Sequence, residues 1–204
     1  EFDAIYDRLS VSGLEEKGES FYNDRLANVV AELEKTGVAE TSDGALVVFD
    51  EKDTKKEKVP LIIRKSDGGF LYATTDLAAV DYRSKELKAN RVLYVTDAGQ
   101  SGHFKAVFQA AQRSQDLDDM SLEHVPFGLV QGEDGKKFAT RSGETVRLKD
   151  LLDEAESRCL TELRERDSDA EDLQELAKVV GIGAVKYADL SLNRESNYKF
   201  SYEK

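Results

Sequence analysis

Three stretches of this chain gather residue types that could do chemistry. In Phe70-Leu71-Tyr72-Ala73-Thr74-Thr75-Asp76 a strand runs into a helix, with Tyr72 four residues before Asp76. Two readings stay open there. Either Thr75 caps the helix and Asp76 complements its dipole, or Asp76 is a buried carboxylate that recognises a cation beside the ring and hydroxyl of Tyr72. The second stretch, Val95-Thr96-Asp97-Ala98-Gly99-Gln100-Ser101-Gly102-His103-Phe104, joins two glycines, an amide and a histidine. Small residues let a flat ring or a phosphate approach the backbone and a helix N-terminus. The spacing is not the GxGxxG of a dinucleotide-binding turn, and a histidine that merely caps a helix is an equal reading. The third stretch runs from Gly132 to Gly143 and carries Lys136, Lys137 and Arg141 between glycines. It suits a polyphosphate, or else a charged surface hairpin.

The elements that must position these stretches follow from periodicity. Tyr22, Leu26, Val29, Val30 and Leu33 predict an amphipathic helix over residues 20–36, with Ser20 as N-cap and Gly37 past its end. Runs at 45–49, 61–63 and 70–72 are β-prone and separated by turn residues or by a charged, solvated loop, which predicts a small antiparallel excursion. A helix over 75–87, an apolar run at 92–95, a helix bearing Phe104, Val107, Phe108 and Ala111, and a second apolar run at 125–130 then alternate. Unbroken apolar strands between helices predict a parallel sheet covered on both faces. Ligands of such sheets gather beyond the carboxyl ends of the strands, where the three stretches lie. Two further helices carry the stripes Leu148, Leu152, Ala155, Cys159, Leu163 and Leu173, Leu176, Ala177, Val180, Ala184. Gly181 and Gly183 in the last helix each cost about 1 kcal/mol relative to Ala, so close helix packing is expected at both. The fold class is thus α/β, with a partial Rossmann-like open parallel sheet, a small β insertion and C-terminal helices. The expected divisions are a helical and β-hairpin region at 1–69, a nucleotide-binding core at 70–147 and a helical segment at 148–204.

Composition narrows the classes. A chain of 204 residues with 40% hydrophobic and 34% charged residues, 14 Gly and 2 Pro is globular and long enough for one sizeable core or two small ones. The single cysteine, Cys159, forms no internal disulfide and no cysteine-rich metal site. With 41 acidic against 29 basic residues the net charge is −12, which opposes nucleic-acid binding through the overall field and leaves only local basic patches. No apolar run approaches the roughly 20 residues needed to span a bilayer, and the start EFDAIYDRL has no signal-peptide pattern, so a cytoplasmic protein is expected. The chain starts with Glu1, and both ends are expected to be cuts in a longer protein.

Read jointly, the blocks 65–79, 94–104, 124–130 and 132–155 resemble the catalytic core of arginyl-tRNA synthetases, a class I family, and Ser191-Leu192-Asn193-Arg194 resembles the segment leading to its anticodon-binding helices. The resemblance implies activation of arginine with MgATP, as substrate and without a tightly bound cofactor or metal site, followed by transfer to tRNA(Arg) by the full-length parent. It implies that Tyr72, Asp76 and Gln100 hold the arginine side chain. Gly99 and His103 would flank ATP, together with Lys136, Lys137, Thr140, Arg141 and Ser142 of a KMSKS-like loop, in which Arg141 is the catalytic cation. Position 139 is Ala where the family usually has a basic residue. The other class I signature, HIGH, does not occur in the 204 residues. The chain is therefore expected to be a central fragment, inactive alone; the alternatives are a non-catalytic arginine- or nucleotide-binding module and an inert structural fragment.

Overall fold

The computed structural model describes residues 2–50, 60–117, 119–132, 147–166 and 172–199. In chain order they form α1 (Phe2–Arg8), a 3-10 turn (Glu19–Arg25), α2 (Leu26–Lys35), β1 (Glu40–Ser42), β2 (Ala45–Val48), β3 (Leu61–Arg64), α3 (Tyr72–Lys85), β4 (Arg91–Asp97), a 3-10 turn (Ala98–Gln100), α4 (Ser101–Ser114), β5 (Ser121–Phe127), β6 (Val130–Gln131), α5 (Leu148–Arg166), α6 (Leu173–Leu190) and β7 (Tyr198–Lys199). They make two compact units, one of Glu16–Pro126 and one of Glu1–Glu15 with Phe127–Lys204.

In the unit Glu16–Pro126 the stripe Tyr22, Leu26, Val29, Val30 and Leu33 is buried, as its spacing predicts. The helix is shorter than expected, because residues 19–25 wind as a 3-10 turn whose cap position is Gly18 rather than Ser20. Rings anchor that turn: Phe21 meets Tyr22 and Tyr82 edge-on at centroid distances of 5.1 and 5.0 Å. Gly37, at φ +67°, ends α2 in the left-handed region that glycine tolerates, and the Val38 and Ala39 amides both donate to the Leu33 carbonyl. Asp43 and Gly44, both at positive φ, make the two-residue turn between β1 and β2. Strand β3 pairs antiparallel with β2, so the expected runs at 45–49 and 61–63 do form an antiparallel excursion, with β1 as a third strand that was not expected.

The expected strand at 70–72 shrinks to one bridge between Arg64 and Phe70, and α3 starts at Tyr72 rather than Thr75. The cause is Thr74, which is fully buried and whose hydroxyl donates to the Ile63 carbonyl, seating the first turn of α3 on β3. Thr75 is therefore inside the helix and does not cap it. Strands β4 and β5, joined through α4, start side by side, with the Ser121 amide donating to the Asn90 carbonyl, and form the parallel βαβ pair that the pattern called for. They are not covered on both faces. Tyr94 is buried against Phe104 and Phe108 of α4, whereas Leu93 and Val95, pointing the other way, are 48% and 60% exposed. The second apolar run also divides: β5 ends at Phe127 and Val130 joins β6.

In the other unit β6 and β7 pair in parallel, Val130 opposite Tyr198. Gly128 allows this, since a Cβ there would stand 2.2 Å from the Ser196 carbonyl oxygen. Helices α5 and α6 pack together, and Leu152, Ala177, Gly181 and Ile182 are buried between or beside them. Leu148, Leu176 and Val180, assigned by spacing to the packed stripes, are each 46% exposed. Gly181 is the closely packed glycine: a Cβ would lie 2.9 Å from the Ala155 carbonyl oxygen. Gly183 has nothing within 4 Å of such an atom, so close packing is not its reason. Arg8 of α1 bridges Asp153 and Glu156 of α5, each at 2.8 Å.

Candidate functional site

The first turn of α3 and the passage from β4 into α4 carry the candidate residues. On α3, Tyr72 is exposed and Asp76 lies one turn further along. From α4, His103 reaches across so that its Nε2 lies 2.6 Å from Asp76 Oδ2, and its ring lies 5.0 Å from that of Tyr72. Asp76 is thus more than a complement to a helix dipole. Its side chain keeps 30% of its exposure, and that of His103 keeps 18%, so the pair is half-buried rather than sealed. A carboxylate only accepts, so the ring N–H at Nε2 of His103 donates to it and fixes its plane. Oδ1 has no hydrogen bond among the described residues, and a carboxylate oxygen that accepts one bond retains room for a second. The result is an oriented carboxylate beside an exposed phenol ring, an arrangement whose chemistry can accept a planar cation.

The passage from β4 to α4 is built around Asp97. Its Oδ1 accepts the Gly99 amide at 2.9 Å, closing the short 3-10 turn, and its Oδ2 accepts from the side-chain amide nitrogen of Gln100. Gln100 is thereby held while remaining exposed. The Ser101 hydroxyl donates to the Ala98 carbonyl at 2.8 Å and ties the turn to the start of α4. Sequence reading picked out Gly99, Gln100 and His103 and passed over Asp97. The available signal was its place at a strand end, in the cap position before Ala98-Gly99.

Behind these residues lies an aromatic and polar support. Tyr94 of β4 accepts from Arg83 of α3 at 2.8 Å, and burial pushes its phenol above the ordinary value against the opposing pull of that guanidinium. His124 of β5 meets the Thr96 hydroxyl at 2.9 Å and stacks on Phe104 with ring centroids 5.2 Å apart. Phe104 in turn packs on His103. The sheet thus reaches the Asp76 pair through a chain of ring contacts. Sequence reading did not assign this role to His124 or Thr96.

Lys136, Lys137, Ala139, Thr140, Arg141 and Ser142 lie outside the described residues. Among the described residues no group of three or more His, Cys, Asp or Glu side chains could hold a metal ion, and no helix is long and apolar enough to cross a membrane.

The family model described as tRNA synthetases class I (R), catalytic domain, matches residues 1–202. Two curated relatives named arginine–tRNA ligase, from Picosynechococcus sp. and Crocosphaera subtropica, are 55% and 56% identical over the whole of this chain, which spans 36% of each relative. The crystal structure of arginyl-tRNA synthetase from Plasmodium falciparum superposes with a TM-score of 0.82 at 34% identity, covering 99% of this chain and 34% of that one.

Proposed function

The chain belongs to the family of class I tRNA synthetase (R) catalytic domains, and on that premise we propose that it is the part of an arginine–tRNA ligase that recognises the arginine side chain and approaches the nucleotide. The observation that carries this reading is the Asp76 carboxylate, oriented by His103 beside Tyr72. A guanidinium meets a carboxylate through two parallel hydrogen bonds, a geometry that a lysine ammonium cannot reproduce. Gln100 supplies a further polar contact to the same group.

In the reaction, a carboxylate oxygen of arginine attacks the α-phosphorus of ATP, the bond to the bridging oxygen of the β-phosphate breaks, and pyrophosphate leaves. The arginyl-adenylate then gives its acyl group to the terminal ribose hydroxyl of tRNA, and AMP departs. The amino acid supplies its own nucleophile, so the protein contributes positioning and electrostatic stabilisation. Asp76, Tyr72 and Gln100 fix the far end of arginine. Gly99 leaves the backbone open to the nucleotide, on which His103 also borders, and Lys136, Lys137, Thr140, Arg141 and Ser142 serve the triphosphate, with Arg141 neutralising charge as pyrophosphate forms. MgATP is a substrate in this scheme, the tRNA partner is tRNA(Arg), and the setting is the cytoplasm. The chain spans 36% of its curated relatives and contains no HIGH sequence, so these residues alone are not expected to form the adenylate.

The test is arginine- and tRNA-dependent ATP–pyrophosphate exchange by a ligase of full family length carrying these residues. Asp76→Asn keeps the shape and removes the charge. A charge-assisted contact in such a site is worth about 2–5 kcal/mol, so kcat/KM for arginine should fall by tens of fold or more, mainly through KM. A fall below about threefold overturns the assignment.

A further inference from the structure

The geometry points to Asp97 as the residue that sets which way the Gln100 amide faces, and so makes Gln100 an acceptor for the cationic end of the substrate. This rests on the reading of Gln100 as an arginine contact. A side-chain amide has one donating and one accepting end, nearly identical in shape, and an unrestrained glutamine would offer a ligand either one. Asp97 removes the choice. As a carboxylate it only accepts, and it is already committed on Oδ1 to the Gly99 amide, while Oδ2 faces Gln100. The Gln100 nitrogen must therefore turn towards Asp97, and Oε1 is the end left for a ligand. A guanidinium consists entirely of donors, so an acceptor is the only useful group to present to it. The same arrangement discriminates against citrulline, whose neutral ureido group puts a carbonyl oxygen where arginine has a nitrogen, because two oxygens would then face each other.

Asp97 touches neither substrate in this account; it acts through Gln100. It also caps the turn through Gly99, so the variant must separate the two roles. Asp97→Asn does so. Its carbonyl oxygen can still accept the Gly99 amide, while its NH2 group now faces Gln100 and forces that amide to turn its oxygen inward and its nitrogen outward. The cap survives and the polarity presented to substrate is inverted.

The experiment measures ATP–pyrophosphate exchange with arginine and with citrulline, in a ligase of full family length carrying these residues, and compares the ratio of their kcat/KM values. Asp97→Asn is expected to lower that ratio by about tenfold, arginine losing and citrulline gaining. Adding Gln100→Glu to Asp97→Asn is expected to restore arginine preference, since a glutamate offers oxygen in either orientation. A purely structural role for Asp97 would lower kcat/KM for both substrates alike and would show no rescue; either result overturns the proposal. If Asp97→Asn does not fold, Asp97→Ser, which keeps a capping oxygen and releases Gln100, decides the matter: an unchanged ratio contradicts the proposal and a reduced ratio supports it. Failure of the underlying reading looks different, because Asp76→Asn and Gln100→Ala would then leave arginine use untouched.

Discussion

His103 and Asp76 share one hydrogen bond, and the chemistry of the site depends on the carboxylate oxygen that this bond leaves open to a ligand. The support behind the pair contains a phenol shifted by burial. Tyr94 is 9% exposed, and burial raises its phenol above 10.0 despite the nearby Arg83. Unfolded tyrosine ionises near pH 10 while folded Tyr94 keeps its proton to higher pH, so the unfolded state binds fewer protons in that window and stability falls as pH rises. Below about pH 10 the contribution is intact. Tyr94→Phe should cost about 1 kcal/mol near neutrality through the lost bond to Arg83 and should flatten the decline between about pH 9 and pH 11, as read by denaturant unfolding. An equal decline in both proteins would contradict the assignment. That Tyr72 and Asp76 could act together was legible in the sequence, although the helix that carries both was expected to start only at Thr75. The partnership of His103 with Asp76 was not, because it joins two helices and depends on how they cross.

Among the elements, periodicity carried α2, strands β2 and β3 and the β4–α4–β5 unit, but it missed β1 and failed where tertiary contacts decide. Thr74 pulled the start of α3 forward through a bond to Ile63, a contact eleven residues away that no local pattern contains. The two glycines of α6 show the same limit, because identical local signals stand in different surroundings. Gly181→Ala would push a Cβ to within 2.9 Å of the Ala155 carbonyl oxygen and should destabilise by about 1–3 kcal/mol. Gly183→Ala enters open space in a helix and should stabilise by up to about 1 kcal/mol. Thermal unfolding of the two variants should therefore shift in opposite directions; a shift of the same sign in both would show that the packing of α5 on α6 has been misjudged.

Taken over its full length, the chain carries a net charge of −12 and must nevertheless serve two polyanions, ATP and tRNA, in the function proposed for it. Its field repels both, so attraction has to come from local cations such as those between Gly132 and Gly143 and from the remainder of a ligase nearly three times as long. Arginine differs from those partners in bringing a positive charge, which suits the carboxylate of Asp76 in the proposed site. The central claim is therefore that the guanidinium of arginine docks on Asp76, with the Gln100 oxygen turned towards it. The most direct measurement is a crystal structure of the full-length ligase carrying these residues with arginine bound. The expected result is guanidinium nitrogens about 3 Å from the Asp76 carboxylate, with His103 still bonded to Oδ2. Arginine bound with its guanidinium away from Asp76, or a carboxylate engaged by His103 alone, would contradict it.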